Sequence, residues 1–137
     1  MEEVCVVIPC YKKTFSLNEE KAILRCLKIF SNYKIVFVSP RGLVLNNNFK
    51  SIKSYYFDKF YFNDIPGYNK LMLSKEFYLK FNDFKYILIF QLDAWVFRDE
   101  LSDWCNKGYD YIGSPWVDAT NDRIKLKTGN GGFSLRN

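Results

Sequence analysis

The chain of 137 residues contains no histidine. A Ser-His-Asp or Cys-His nucleophile is therefore excluded, because no imidazole is present to act as its base. Cysteine is sparse: Cys5, Cys10, Cys26 and Cys105 form no close metal-ligand pair, so no structural zinc site is expected. Cys5 and Cys26 fall on apolar faces and read as small core residues. No apolar run approaches the ~18 residues of a membrane span. The opening Met1-Glu-Glu-Val lacks the basic-then-apolar build of a secretion signal. A cytoplasmic protein is expected, the inner face of the membrane being the alternative site. No glycine falls within Pro9 to Thr14, and no Gly-Lys-Ser/Thr follows the single glycine-rich stretch, which argues against a nucleotidyltransferase phosphate loop and a Walker loop.

What is abundant is apolar and aromatic: 48% hydrophobic residues, with 10 Tyr and 13 Phe. At this length a single domain, residues 1–137, is expected; about 68% of the unfolded surface can be buried without a disulfide or metal staple. Some of the aromatics are in excess of a small core and would line a groove or meet a partner. A compositional bias from AT-rich coding DNA is the competing explanation. The net charge of +5 favours anionic partners. Arg123, Lys125 and Lys127 alternate as on one face of a strand, either a solvated edge or a contact to phosphate or membrane. A nucleic-acid module is not expected, since the aromatics lie within apolar runs and do not interleave with Lys and Arg.

Hydrophobic periodicity gives the elements. Val4 to Pro9 is β-branched and unbroken, a central parallel strand. Ser16-Leu-Asn-Glu19 has the form of a capping box, and the helix after it should bury Ile23, Leu24, Leu27 and Phe30. Lys34 to Ser39 is a second buried strand, completing a βαβ unit with a right-handed crossover. Asn46 to Asn48 is a loop, and Ser51 to Asp58 holds a third strand. Tyr68 to Phe81 reads as a second amphipathic helix on Leu73, Phe77 and Phe81. The Asp93 strand follows, then a short helix over Arg98 to Lys107 and a strand at Tyr109 to Ile112. Val117 to Arg123 reads as a polar loop. Ile124 to Leu126 and Phe133 to Leu135 read as two strands joined by the turn Gly129-Asn-Gly-Gly132. The order is that of an α/β protein whose mostly parallel sheet is flanked by helices and drifts into mixed strands near its end.

The most informative stretch is Tyr86-Ile-Leu-Ile-Phe-Gln-Leu-Asp93. A buried strand that ends in a carboxylate is costly unless the acid opens into a site, and ligand crevices of open α/β sheets lie at the carboxyl ends of strands. Asp93 would hold a divalent cation or a ribose hydroxyl beside a diphosphate; the alternative is a helix cap or a salt pair. After the first strand, Pro9, Tyr11, Lys12 and Lys13 would border a nucleotide, Tyr11 stacking on the base; an ordinary exposed loop is the alternative. Asp58 could reach the same rim or be a surface turn. Gly129 to Gly132 allow close backbone approach to a ligand, or form a hairpin turn. Trp116 is either a sugar-stacking face or a core residue.

Seven ordered motifs carry a family resemblance. They are Tyr68-Asn69; Ser74-x-x-Phe77-Tyr78; Tyr86 to Ala94; Phe97-Arg98-x-x-Leu101; Trp104-Cys105; Gly108-Tyr-Asp-Tyr-Ile-Gly113-x-Pro-Trp116; and Gly129-Asn-Gly-Gly-Phe-Ser-Leu-Arg136. Together they resemble a bacterial family of glycosyltransferases, catalogued as a domain of unknown function, with a GT-A-like fold. The likeness is strong over residues 68–136 and weak over the first 60. It implies transfer of a sugar, of hexosyltransferase type, from a nucleotide-diphosphate donor to a glycan or lipid-linked acceptor of cell-surface polysaccharide. Residues 1–97 would form the nucleotide-binding half and 98–137 the start of the acceptor side. By the same resemblance Pro9, Tyr11, Lys12, Asp58, Asn69, Asp93, Trp116, Asn130, Gly131 and Gly132 would border the donor. Asp93 would stand for the Asp-x-Asp metal motif, implying Mn²⁺ or Mg²⁺. The chain departs from that pattern, since Gln91 or Trp95 occupies the place of the second acid.

The chain ends soon after the glycine motif, where relatives would be expected to continue, so a natural short form, a truncated gene or a fragment is expected. Asp118 and Asp122 are the only acids downstream of Trp116 and the candidates for the catalytic base. The competing function is a non-catalytic nucleotide-sugar or carbohydrate-binding module that needs a partner. A half-length sheet with a hydrophobic last strand could also form a homo-oligomer.

Overall fold

The β-branched and aromatic runs build the middle of a sheet. In the computed structural model, residues 2–45, 48–120, 123–127 and 129–137 are described, with the backbone alone at 2, 117–120 and 123–127. Strand β1 (Glu2–Pro9) is followed by helix α1 (Leu17–Ile29), β2 (Lys34–Pro40) and β3 (Ser54–Phe57). A 3-10 turn (Lys59–Phe62) leads into α2 (Ile65–Met72) and α3 (Lys75–Leu79), then β4 (Phe84–Phe90) and α4 (Leu101–Cys105). Four short strands close the order: β5 (Tyr111–Gly113), β6 (Trp116–Thr120), β7 (Arg123–Lys127) and β8 (Phe133–Arg136).

Six strands form one sheet in the order β3-β2-β1-β4-β8-β5, while β6 and β7 pair with each other. The sheet is mixed, which corrects the expectation of a mostly parallel one. The pairs β2–β3, β1–β2 and β1–β4 are parallel, but β8 runs antiparallel to both β4 and β5. A parallel return needs a long crossover, usually a helix. Among the described residues none lies between β5 and β8, and the chain comes back from the β6–β7 hairpin in the opposite direction.

That hairpin replaces the expected polar loop, and it is the alternation of Arg123, Lys125 and Lys127 that forms its second strand, pairing Asp118 with Lys125. The glycine stretch is accordingly no hairpin turn. It carries the chain from β7 into β8, which lies in the other sheet.

Side chains alternate between the two faces with the period of two that strands impose. On one face Val4, Val6, Ile8, Leu88 and Phe90 pack with Ile23 and Cys26 of α1, with Phe30 at its C-cap, and with Leu101 and Cys105 of α4. On the other, Cys5, Val7, Val36, Val38 and Ile89 pack with Leu71, Phe77 and Phe81. Each fully buried Ile or Phe contributes about 1.5–3 kcal/mol relative to an exposed one.

The capping box at Ser16 is present: its side chain accepts from the Glu19 N–H, and the Glu19 carboxylate accepts from the Ser16 N–H. Leu24, however, is 57% exposed. The stripe of α1 that meets the sheet runs through Ile23, Cys26 and Phe30, and Leu24 lies ~100° around the helix from Ile23.

The single helix expected over Tyr68 to Phe81 is two helices. Ser74 breaks it by taking the N-cap of α3: its hydroxyl accepts from the Phe77 N–H at 3.1 Å and donates to the Leu71 carbonyl at 2.9 Å. Leu73 is thereby left 84% exposed, whereas Phe77 and Phe81 are buried as expected. Among the described residues, no helix is long and apolar enough to cross a membrane.

Candidate functional site

The strand order fixes where a crevice must open. From β1 the chain proceeds outward through β2 and β3, then returns to β4 on the other side of β1. At such a switch point the segments leaving adjacent strands diverge, and ligands bind between them at the carboxyl ends. A crevice of about 420 Å³ lies there, between Pro9 to Lys12 after β1 and Gln91 to Asp93 after β4. Phe15 and Glu19 of the α1 region close one side, and Asn63 to Tyr68 the other. The volume falls in the range of small-ligand sites.

The crevice brings together four of the sequence candidates: Pro9, Tyr11, Lys12 and Asp93. Tyr11 is 59% exposed and offers a ring face at the rim. Lys12 is already engaged, its Nζ lying 2.7 Å from Glu19 Oε1. The hydrogen bond between them pushes the Lys12 ammonium up from its ordinary range and holds the Glu19 carboxyl below its own. Asp64 is engaged too, accepting from the Gly67 N–H at 2.7 Å as the N-cap of α2. The N-terminus of α1 is thus capped by the Ser16–Glu19 box and that of α2 by Asp64.

Asp93 differs from these acids. It is exposed, and among the described residues it has no hydrogen-bond or ion-pair partner. Its turn is held on both sides. The Gln91 N–H donates to the Gly132 carbonyl at 2.8 Å, and the Ala94 N–H donates to the Gln91 carbonyl at 3.0 Å. Arg25 of α1 then donates through Nε to the Val96 carbonyl at 3.0 Å and through Nη2 to the Phe97 carbonyl at 2.6 Å. Asp93 thus sits on a pinned turn while its own carboxylate is uncommitted.

The other candidates are placed elsewhere. Asp58 caps the 3-10 turn, accepting from the Phe60 N–H at 3.0 Å, and does not line the crevice. Asn69 on α2 and Trp116 at the start of β6 are exposed and also outside it. Asn130, Gly131 and Gly132 do not line it, but Gly132 meets the crevice residue Gln91. A Cβ at Gly132 would lie 3.0 Å from Gln91 Oε1, so this glycine is what lets the loop press against the end of β4. For Asp118 only the backbone is described, and Asp122 lies outside the described residues.

Sequence reasoning missed Arg25, Asp64 and the role of Tyr68 as a wall. The Tyr68 hydroxyl is buried with no partner in hydrogen-bond geometry among the described residues, although the Gln91 amide, Arg136 and Asp93 all act on it. Burial is the main cause that pushes its ionisation up.

A second cavity of about 620 Å³ lies where Trp95, Phe97 and Trp104 overhang Leu88 and Leu135. Its two ionisable residues, Arg98 and Glu100, pair with each other at 2.8 Å, which leaves it an apolar groove. Among the described residues, charged and polar side chains converge at the switch-point crevice and along its Lys12–Glu19 side. Among the described residues, no group of three or more His, Cys, Asp or Glu side chains could hold a metal ion.

Fold and crevice define the class: an α/β domain with an open cleft at the switch point of a mixed sheet. The chain belongs to the family described as protein of unknown function DUF5672, whose model matches residues 51–137, more than half of its length. No curated protein and no solved structure matches it.

Proposed function

We propose that this domain is a GT-A-like sugar-transfer domain whose switch-point crevice takes a nucleotide-diphosphate sugar. The observation that carries the reading is the uncommitted Asp93 carboxylate on a pinned turn at the mouth of that crevice. Tyr11 offers a stacking face for a base, and Asp93 accepts from a ribose or sugar hydroxyl or holds a divalent cation. Mg²⁺ commonly binds through one or two carboxylates plus substrate phosphates, so a single acid fits a cation that arrives with the donor. Such a cation would supply charge stabilisation to the leaving diphosphate, the step that this class of reaction most needs. The acceptor would be a glycan or a lipid-linked sugar, and Asp118 or Asp122 the carboxylate that takes its proton.

One observation favours a second reading, a binding module without turnover. Glu19 and Asp64 are engaged, so the described crevice holds no free carboxylate beyond Asp93 to serve as a separate base.

A thermal-shift screen of nucleoside diphosphates and their sugars, with and without Mn²⁺, tests the proposal. A bound donor at 100 times its Kd stabilises the native state by about 2.7 kcal/mol, a readily seen rise in Tm. Asp93→Ala should abolish the rise. If no nucleotide moves the Tm, or if Asp93→Ala responds as the parent does, the reading is wrong. Binding without hydrolysis or transfer by the intact protein would select the second reading.

A further inference from the structure

Arg136 has no carboxylate partner among the described residues, although it is half-buried. It belongs to β8 and pairs with Ile87, four residues below Gln91 on the neighbouring strand. Its side chain climbs the sheet face past Ser134, to which Nε donates at 3.1 Å. Nη1 donates to the Tyr78 hydroxyl at 3.1 Å, and that hydroxyl donates in turn to the Met72 carbonyl. The Tyr111 ring lies 5.7 Å from the guanidinium carbon. The end of the side chain meets Gly131, where a Cβ would approach Nη2 to 2.9 Å. A guanidinium has five N–H donors. Two are used here, and Nη2 points at the glycine loop with no acceptor among the described residues.

A guanidinium held in place with N–H donors to spare is built to meet an anion. The crevice needs one. Its own lining carries Lys12 against Glu19, Asp64 and Asp93, and Lys12 is tied. The N-termini of α1 and α2 are already capped. Arg136 reaches the crevice from behind its lining: Nη2 meets Gly131, the next residue, Gly132, meets the crevice residue Gln91, and the guanidinium charge acts on the hydroxyl of Tyr68, which also lines the crevice.

We propose that Arg136, buttressed by Tyr78, Ser134 and the open backbone at Gly131, is the anion-recognition point of the crevice and takes a phosphoryl oxygen of the bound ligand. This rests on the reading that the ligand carries phosphate. The planar fork suits two oxygens of one phosphoryl group, and the missing Cβ at Gly131 gives Nη2 the room it occupies.

Calorimetric titration of the full chain with inorganic pyrophosphate, UDP and uridine tests it, using the parent protein, Arg136→Gln and Arg136→Lys. Pyrophosphate and UDP should bind about ten- to a hundred-fold more weakly to Arg136→Gln, the range for a lost charge-assisted hydrogen bond, while uridine binding is unchanged. Arg136→Lys keeps the charge without the fork and should fall between. It also keeps the test open should Arg136→Gln fail to fold, since a lysine that binds pyrophosphate as tightly as the parent contradicts fork recognition. Pyrophosphate that fails to bind the parent, or binds all three proteins alike, overturns the assignment. Pyrophosphate binding that depends on Arg136, with no added affinity for UDP, leaves the anion site standing and removes the nucleotide reading instead.

Discussion

Gly67→Ala should loosen one wall of the crevice. Gly67 is buried in the first turn of α2, where the helix crosses the 3-10 turn. A Cβ there would lie 2.5 Å from the Phe60 carbonyl oxygen, 3.0 Å from Asp64 Oδ1 and 3.3 Å from the Tyr61 carbonyl carbon. Two of these atoms are backbone, so no rotamer change relieves the contact, and the helix or the turn must move. Overpacking of this kind costs about 1–3 kcal/mol. Replacing glycine by alanine returns at most about 1 kcal/mol of helix propensity, less in a first turn. The net loss is about 1–2 kcal/mol, or about 4–8 °C in Tm for a domain of this size. The segment displaced, Asn63 to Tyr68, lines the crevice, so ligand affinity should fall together with stability. Thermal melting followed by circular dichroism, paired with a nucleotide titration, measures both. An unchanged or raised Tm would refute the argument, because it would mean that the close approach of α2 to the turn is not as described.

Two further outcomes are expected. The Lys12 hydrogen bond and the Ser16 N–H hold the Glu19 carboxyl below its ordinary value of 4.5, so its contribution is fully present above that pH and is lost as pH falls through the depressed folded value. Glu19→Gln should therefore be about 0.5–1 kcal/mol less stable than the parent by urea denaturation at pH 6, and the gap should close towards pH 3; a gap that persists at low pH would contradict the linkage. All four cysteines are buried thiols outside any disulfide, with burial raising Cys10 and Cys105 to about 11 and Cys26 to about 12. A thiol reagent at pH 8 should react slowly with the native protein and with all four after denaturation; rapid native labelling would show that these sites open.

The parts of the fold written in short-range chemistry were legible. β1, β2 and β4 are unbroken β-branched or aromatic runs, and Ser16 with Glu19 marks the start of α1 within four residues. The position of Asp93 at the crevice was legible for the same reason, although β4 ends at Phe90 and the acid lies in the turn beyond it. What needed long-range pairing was not. No local pattern says that β8 inserts between β4 and β5, so the glycine stretch read as a turn between neighbours. Arg25 is invisible as a support because its acceptors, Val96 and Phe97, are 71 and 72 residues away. Leu73 failed because its apolar spacing matched a continuous helix, while Ser74, a residue that competes for backbone N–H groups, supplied the break.

The charges around the crevice constrain what can fill it. The chain as a whole is positive by 5, which draws anions towards it. The crevice lining is locally negative, with one lysine against three carboxylates, and of these only Asp93 is uncommitted. Covering a bare carboxylate with a ligand costs several kcal/mol unless the ligand brings a cation or well-placed hydroxyl donors to it. A simple anion set against Asp93 would be repelled. A ligand that places hydroxyls or a cation at Asp93, and its phosphate away from it towards Arg136, satisfies both ends at once. A neutral sugar would satisfy Asp93 but give Arg136 no counter-charge, and a free phosphate would do the reverse. Two opposite charges without an ion-pair partner among the described residues, both acting on Tyr68, are what favour a ligand carrying both kinds of group.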